Sequence, residues 1–336
     1  MNKQFTLFSI LFVLFFLSGC AQKINIRALE PAQIDRASQT KKLSIATFTN
    51  DRVGLSNKIE ANLAQIKIDN RSYFTIVSRG DFEKIIKEQK IQNSGLVDNS
   101  SVVEVGNLIG AQAIISGNVG NINVSDSNYY EERVRCADSK CKTVTKYNVG
   151  CKKRVVSLSA ELKMVDIEAG DIIHAETIHK FSNHFQCQDD SRTIPSGESA
   201  AQSLATAMAN EFTYKLTPHY RYFEVVLLED PDLDYTNEQE KLLEVALEYI
   251  KQNRYDKAEK FLYDLIDSTD AQSYVAFYNL GVVKEAEGEY NEAKEYYERA
   301  DALMIEPVAE ISQAYVRINT LIEKNDKTKA QLQRGR

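Results

Sequence analysis

Residues 155–181 read VVSLSAELKMVDIEAGDIIHAETIHKF, and this stretch decides the fold of the first half of the chain. Apolar and polar side chains alternate from Val156 to Met164, a period of two that is typical of a strand with one buried face. Residues 167–171 form a turn pattern, and Ile172–Phe181 returns to strand character. The stretch therefore predicts a β-hairpin.

Strands and helices alternate on the N-terminal side of this hairpin, and an Ala-rich helical segment follows it. The periodicity predicts strands at 43–48, 73–77 and 113–122, and helices at 56–66, from Asp81, at 102–109 and at 200–216. Two polar, charged insertions, 125–154 and 182–196, interrupt the pattern. Interleaved strands and helices predict an α/β domain over residues 42–216.

The N-terminus carries an export pattern. An apolar run from Phe5 to Leu17, interrupted by Ser9, follows a single lysine and ends at Ser18-Gly19-Cys20. The run is too short to remain in a bilayer as a helix and is typical of a secretory signal. Small residues directly before a cysteine resemble the lipobox of bacterial lipoproteins, in which the cysteine is acylated after cleavage. This resemblance implies a signal peptide at 1–19, lipidation of Cys20 and a polar tether over 20–41.

Four further cysteines, Cys136, Cys141, Cys151 and Cys187, lie in the two insertions. An even number in an exported chain favours two disulfides and leaves three connectivities open. Zinc is disfavoured, because the spacing lacks the close Cys-x2-Cys pairs of structural zinc sites. Of the three connectivities we prefer Cys136 with Cys141 and Cys151 with Cys187, the second of which would tie the insertions together.

The C-terminal part is helical and acidic. Residues 224–307 hold 22 Asp and Glu against 8 Lys and Arg, a net charge of −14. Small and aromatic residues recur at an offset of 35, in the pairs Ala246/Gly281, Tyr255/Tyr290, Ala258/Ala293 and Leu262/Tyr297. The pattern resembles the tetratricopeptide repeat, with a bundle of four unrelated helices as the alternative. A final helix at about 309–323 is expected to cap the two repeats.

The repeat resemblance implies protein binding along the first helix of each repeat. We expect the partner-binding residues to be Glu244, Glu248, Tyr274, Tyr278 and Lys284. The acidic charge favours a basic peptide or basic surface as the partner. The alternative is that the carboxylates serve only to keep the helices in solution.

The α/β domain resembles the CsgG family in motifs that occur in order along the chain. These are Tyr73–Arg79, Glu88-Gln89 with Gly95, the segment 110–117 (GAQAIISG), and the turn at Val165–Ile172. The resemblance covers residues 42–216. It implies a CsgG-like mixed-sheet α/β domain with flanking helices, here followed by an all-α tetratricopeptide-repeat domain.

Composition and motifs argue against two other function classes. A net charge of −7 over 336 residues does not suit a nucleic-acid binder, which needs a basic stripe. The chain has no nucleophile, phosphate-loop or zinc-protease motif, and His174, His179 and His184 alternate between the faces of one strand. We therefore expect no enzyme activity, no cofactor and no metal.

The expected organisation combines these readings. The domains are a signal peptide (1–19), lipidated Cys20 and tether (20–41), CsgG-like domain (42–216), linker (217–236), repeat domain (237–325) and disordered tail (326–336). We expect an outer-membrane lipoprotein facing the periplasm, a scaffold factor that binds proteins through its repeats.

Two alternatives to the scaffold function remain. The first is a subunit of a curli-type secretion channel, in which two insertions become membrane-spanning hairpins. The first insertion argues against it, because residues 129–154 carry eight basic and three acidic side chains. The second alternative is a peptidoglycan-synthase activator of the LpoB type. Assembly of copies into a ring is left open.

Overall fold

The computed structural model describes residues 22–77 and 110–333, and the chain divides into two compact units. Of the described residues, the α/β unit comprises 31–77, 110–218 and 330–333, and the repeat unit comprises 22–30 and 219–329. The signal peptide, Cys20 and the helices predicted from Asp81 and at 102–109 lie outside the described residues.

The described elements are numbered here in chain order. The strands are β1 (Lys23–Glu30), β2 (Lys42–Ile45), β3 (Lys67–Ile68), β4 (Arg71–Ser72), β5 (Thr75–Val77), β6 (Ala113–Val119), β7 (Asn123–Cys136), β8 (Val144–Asp166), β9 (Ile172–Cys187) and β10 (His219–Val226). The helices are α1 (Asp35–Gln39), α2 (Leu55–Gln65), α3 (Gly197–Leu216), α4 (Asn237–Lys251), α5 (Tyr255–Ser268), α6 (Tyr274–Glu287), α7 (Tyr290–Leu303) and α8 (Ala309–Gln333).

The sheet of the α/β unit is organised around β8. One edge of β8 pairs antiparallel with β6 over residues 160–166 and with β7 over residues 144–157, and the other edge pairs with β9. β2 lies parallel between β5 and β6, so the sheet is mixed. The even-numbered side chains from Val156 to Met164 are buried, which confirms the predicted alternation.

Two helices cover the buried face of this sheet, and each begins at a capped terminus. At α2 the Asp51 carboxylate accepts hydrogen bonds from the Leu55 and Ser56 amides at 2.7 and 2.8 Å. At α3 the Ser196 hydroxyl accepts one from the Ser199 amide at 3.1 Å. Ile59, Leu63, Met208 and Phe212 from the two helices are fully buried. The predicted mixed-sheet α/β architecture is confirmed.

The first insertion does not interrupt the strands, as the sequence suggested, but forms part of long strands. β7 and β8 pair in continuous register from Asn123↔Ser157 to Cys136↔Val144, and β9 extends beyond the predicted Phe181 to Cys187. Cross-strand ion pairs compensate the charges, since Arg154 holds Asp126 at 2.7 Å and Lys146 holds Glu132 at 2.7 Å. We name the projecting part, residues 123–154 and 182–187, the β-arm.

The predicted tether and linker are also wrong in part. β1 lies within 20–41 and β10 within 217–236, and the two pair antiparallel from Lys23↔Val226 to Glu30↔His219. Ile24, Ile26 and Ala28 alternate with exposed residues and are buried. The partner strand lies far along the chain, so no local turn signal marks the pairing. We name this two-stranded sheet the β1–β10 ribbon.

The repeat unit contains α4 to α7 as two helix pairs, followed by α8. Tyr255 and Tyr290, which the 35-residue offset matched, each begin the second helix of a pair. The tail predicted to be disordered from residue 326 instead continues α8 to Gln333. The cause lies in Thr328, which is buried with its hydroxyl 3.4 Å from the Leu29 carbonyl. Within residues 22–77 and 110–333, no helix has the length and apolar character needed to cross a membrane.

Lys41, the residue directly before β2, is a half-buried ammonium for which the described residues provide no carboxylate partner within 4 Å. Its Nζ donates to the carbonyls of Ser38 at 2.6 Å and Gln331 at 3.1 Å, and lies 3.5 Å from the centroid of the Tyr73 ring. Burial lowers the pKa of Lys41 to about 8. Burial also raises the pKa of Tyr73, to about 12.

This lowered pKa predicts a pH dependence of stability. The unfolded lysine titrates near 10.5, so between about pH 8 and pH 10 the folded state binds fewer protons than the unfolded state. The contribution of Lys41 to the free energy of unfolding therefore rises with pH in this window, whereas Tyr73, whose pKa burial raises from 10.0, contributes a change of opposite sign as pH approaches and passes 10. Urea unfolding measures the free energy of unfolding of the wild type and of Lys41→Met. The wild-type value minus the Lys41→Met value should increase as pH rises from about 8 to 10. Lys42→Met, at the exposed neighbouring lysine, is the control, and a wild-type minus Lys41→Met difference that stays constant would contradict the prediction.

Candidate protein-binding surface

The two helix pairs of the repeat unit are held at close distance by small residues. A Cβ added to Gly281 on α6 would lie 2.6 Å from Cε1 of Tyr297 on α7, closer than real side chains approach. In the first pair, the residues at the equivalent positions of the 35-residue offset are Ala246 and Leu262, and all four residues are buried. The recurrence of small and large residues in the sequence therefore reflects one packing arrangement used twice.

A buried charge pair fixes the last helix of the unit. Glu285 on α6 is fully buried, and its two oxygens accept hydrogen bonds from Arg317 on α8 at 2.7 and 2.8 Å. The Tyr297 hydroxyl donates to the same carboxylate. Burial and the Glu285 charge hold the pKa of Tyr297 well above its usual value. Every oxygen of the carboxylate has a partner, which is the condition under which a buried ion pair is tolerated.

The β1–β10 ribbon covers part of the face of α4 and α6 that the sequence assigned to a partner. β1 contacts both helices, and Ile24, Ile26 and Val225 belong to the same apolar core as Leu243 and Phe277. The assignment of Tyr278 to partner binding is therefore wrong. Its side chain is 1% exposed, and its hydroxyl donates to the Val226 carbonyl at 2.7 Å.

The chain after β10 continues along α6 in an extended form and is held by side chains of that helix. Asn279, fully buried, accepts from the Leu228 amide at 3.1 Å and donates to the Leu228 carbonyl at 2.8 Å. Asp232 then accepts from the Val275 amide at 3.3 Å and from the Ser273 hydroxyl at 2.8 Å, which caps α6. The chain thus occupies the groove with its own backbone. The sequence analysis did not identify Asn279, although a side-chain amide within an apolar helix indicates a buried hydrogen-bond partner.

The remaining predicted residues divide into two groups. The Lys284 side chain is 12% exposed and forms ion pairs with Glu259, with Glu287 at 3.3 Å and with Glu292 at 3.5 Å. Burial opposes its charge, but these carboxylates raise the pKa of Lys284 overall. The structure therefore places Lys284 in an internal network and corrects its assignment to partner binding. Tyr274 is half-buried.

The other group, Glu244 and Glu248, lies exposed on α4. Glu244 forms no ion pair with the described residues, and Glu248 makes a long ion contact of 3.8 Å with Lys251 and accepts a hydrogen bond from Gln252 Nε2 at 2.8 Å. Glu240 continues the exposed row one turn earlier on the same helix. We name Glu240, Glu244 and Glu248 the acidic α4 face.

A second exposed surface was not anticipated. The hydroxyls of Tyr263 on α5 and Tyr296 on α7 lie 2.8 Å apart, and the Tyr296 ring stacks on Phe277 with centroids 6.4 Å apart. The Arg299 guanidinium lies 5.6 Å from the same Phe277 ring. Burial, together with the Tyr296 hydroxyl, raises the pKa of Tyr263. The only feature of the sequence that indicated this surface was the aromatic content of α5 and α7, the second helix of each pair, and the repeat resemblance assigned no role to those aromatic residues.

The cysteines lie on the β-arm. Cys136 is bonded to Cys141, and Cys151 to Cys187, the pairing that the sequence analysis preferred. The second bond joins residues that face each other in the β8–β9 register, beside Tyr129, Tyr147 and Val149. Among the described residues, Glu131, Cys151 and Cys187 bring potential metal ligands within 4.8 Å of one another. The disulfide removes both thiolates from such a site.

Comparison with known families gives two matches. A family model described as the curli production assembly/transport component CsgG matches residues 32–209. A tetratricopeptide-repeat model matches residues 274–303, the α6–α7 pair. No curated protein matches the chain.

Several solved structures resemble it at low identity. The C-terminal domain of LpoB from Salmonella enterica is 13% identical, with 45% of this chain and 95% of that chain covered and a TM-score of 0.26. Lipoprotein GNA1162 from Neisseria meningitidis is 12% identical, with 52% and 98% covered and a TM-score of 0.27. A PelC dodecamer from Paraburkholderia phytofirmans is 11% identical, with 59% and 99% covered and a TM-score of 0.23. Scores this low support no argument about function.

The close packing of Gly281 predicts the outcome of Gly281→Ala. Alanine favours a helix by about 1 kcal/mol over glycine, but the clash with the buried Tyr297 ring should outweigh this gain. We expect a net loss of about 1–3 kcal/mol in the free energy of unfolding. Combining Gly281→Ala with Tyr297→Leu recreates the Ala246/Leu262 pair, so the double variant should lose less than the sum of the single variants. Simple additivity in denaturant unfolding would contradict the packing argument.

The cysteine pairing predicts a peptide map. Trypsin cleavage at Lys140 and Lys142 should leave peptides containing Cys136 and Cys141 joined, and those containing Cys151 and Cys187 joined. All four residues should resist thiol labelling until they are reduced. Mass spectrometry without reductant measures both properties, and peptides that join Cys136 to Cys187 would show that the connectivity is different.

Proposed function

The chain belongs to the CsgG family, and we propose that it is an outer-membrane lipoprotein that faces the periplasm and serves as a scaffold factor for an envelope or secretion machine. The role is non-enzymatic. The observation that carries the proposal is the exposed acidic α4 face in a unit that contains a tetratricopeptide repeat. Such repeats are built to bind other proteins.

The anchor is supported by the N-terminal sequence. Leu17-Ser18-Gly19-Cys20, the lipobox-like segment, follows the apolar run. Acylation of a cysteine, together with its amine, provides several chains, which is enough for stable membrane attachment.

The partner is a basic protein segment. The groove of α4 and α6 is filled by the ribbon, so binding falls to the outer surface of α4. Glu240, Glu244 and Glu248 lie on successive turns, and the surrounding region carries a net charge of −14. A basic segment is attracted to this field, whereas nucleic acid is repelled.

The secretion-channel subunit is a second candidate, favoured by one observation. The insertions form continuous strands that expose Tyr130 at 79% and other apolar side chains. The eight basic residues of the first insertion weigh against it. Conductance steps from purified protein in planar bilayers would favour this candidate over the scaffold. The LpoB-type activator keeps only the support of its shared architecture.

The anchor proposal predicts the behaviour of Cys20→Ser. Without the thiol, no diacylglycerol can be attached, so the variant should incorporate no labelled palmitate and should leave the outer-membrane fraction. Cys136→Ser, which removes a cysteine outside the lipobox, is the matched control and should be labelled normally. Labelling of the Cys20→Ser variant would contradict the anchor.

The partner proposal predicts a charge-dependent loss of binding. Glu244→Gln combined with Glu248→Gln should weaken binding of a Lys-rich peptide by about twofold to thirtyfold, since each exposed charge contributes about 0.2–1 kcal/mol. Asp264→Asn combined with Asp267→Asn removes the same charge from α5 and is the control. Fluorescence anisotropy in low and high salt measures both, because about 1 M salt shortens the Debye length to about 3 Å. An equal loss in the two variants would mean that net charge, and not the α4 face, attracts the peptide.

A further inference from the structure

The chain length between the proposed anchor and the first strand is short. Lys23, the first residue of β1, follows Cys20 by three residues. A fully extended chain spans at most about 3.6 Å per residue, so β1 begins within about 11 Å of the acylated cysteine. This step rests on the proposed lipidation of Cys20. The β1–β10 ribbon is thus the first folded part of the protein next to the lipid.

The ribbon has two different faces. Its inner face packs against α4 and α6. Residues that face each other in register share a face, so Arg27↔Tyr222 and Leu29↔Tyr220 lie on the outer one. Tyr222 is 66% exposed, and the Arg27 guanidinium lies 4.5 Å from the centroid of the Tyr220 ring. Glu224, opposite Asn25, lies on the same face and forms an exposed ion pair with Lys23 at 3.2 Å. We name Lys23, Arg27, Leu29, Tyr220, Tyr222 and Glu224 the outer ribbon face.

The composition of this face suits a phospholipid surface. Tyrosine is enriched at membrane–water interfaces, because its ring is apolar and its hydroxyl is polar. Basic side chains near the surface are attracted to anionic headgroups. The ribbon carries the basic residues Lys23, Arg27 and Arg221 against the acidic Glu30 and Glu224. The helices behind it are strongly acidic and would be repelled by the same lipids.

We propose that the outer ribbon face lies against the phospholipid headgroups of the anchoring membrane. Tyr220 and Tyr222 enter the interface, and Lys23 and Arg27 contact lipid phosphates. The inner face of the ribbon then holds α4 and α6 on the side away from the lipid. The acidic helices are thereby kept from the anionic surface, and the repeat unit has a fixed orientation toward the periplasm.

The absence of tryptophan from the sequence allows a direct test. Tyr222→Trp introduces a single fluorophore into the full lipidated protein, at a position whose exposure tolerates the change. Ile305→Trp, at a residue that is 99% exposed between α7 and α8, is the matched control. Each variant is reconstituted in vesicles of phosphatidylethanolamine and phosphatidylglycerol whose acyl chains are brominated near the headgroup. Palmitate labelling of the same samples reports the anchor.

The expected result is a blue-shifted emission that is strongly quenched by the brominated lipid for Tyr222→Trp and almost unquenched for Ile305→Trp. Adding Lys23→Gln and Arg27→Gln should reduce the quenching of the Tyr222→Trp variant. Palmitate incorporation with equal quenching at both positions would overturn the proposal and leave the anchor intact. A blue shift without quenching would mean that a second copy covers the face, which also overturns it. Loss of palmitate incorporation would overturn the anchor and the proposal together.

Discussion

The hydrogen-bond register of β8 is the constraint on which the α/β unit depends. This strand pairs with β6, β7 and β9, so its position sets the alignment of both the core sheet and the β-arm. In the C-terminal half of β8, Leu158 and Leu162 are buried on the side of the sheet that α2 and α3 cover. In the part of β8 that belongs to the β-arm, the buried side chains are Val149 and Cys151. A shift by one residue would move every buried side chain to the opposite face. The disulfide between Cys151 and Cys187 opposes such a shift, because it joins residues that are paired in register.

The sequence predicted those parts of the fold that have a local signal. The alternation from Val156 to Met164 identified β8. The recurrence at an offset of 35 residues, in which Gly281 and Tyr297 repeat the positions of Ala246 and Leu262, identified the helix pairs. The ribbon was missed because β1 and β10 are separated by most of the chain, and no turn or spacing rule connects them. The alternation of apolar and polar residues in β1 is nevertheless present in the sequence, at Ile24, Ile26 and Ala28. The β-arm was not predicted as strands, because its charged residues interrupt the apolar alternation, whereas strands exposed on both faces also carry charged pairs.

The binding surface was predicted only in part, for a related reason. The positions on α4 and α6 follow from helical spacing, but spacing does not reveal what covers a helix. Glu244 and Glu248 are exposed as expected, while Tyr278 lies under the ribbon and Lys284 lies among three carboxylates. A tyrosine and a lysine are both common at interfaces and both able to serve in a core. Tertiary pairing decides between these roles, and a single sequence does not contain that information.

The ribbon also explains how so short a repeat array is completed. Stacked repeats need neighbours to bury their apolar faces, and two pairs alone leave much of α4 and α6 uncovered. Here α6 is buried almost all round, with the ribbon, the α7 helix and the segment near Leu228 supplying the cover. Removing that segment would leave Asn279 with neither of its backbone partners, at the cost of an unsatisfied buried amide. The groove is therefore part of the folded core of the repeat unit. Any partner must be recognised by the surfaces that this core leaves exposed, of which the acidic α4 face presents three exposed carboxylates.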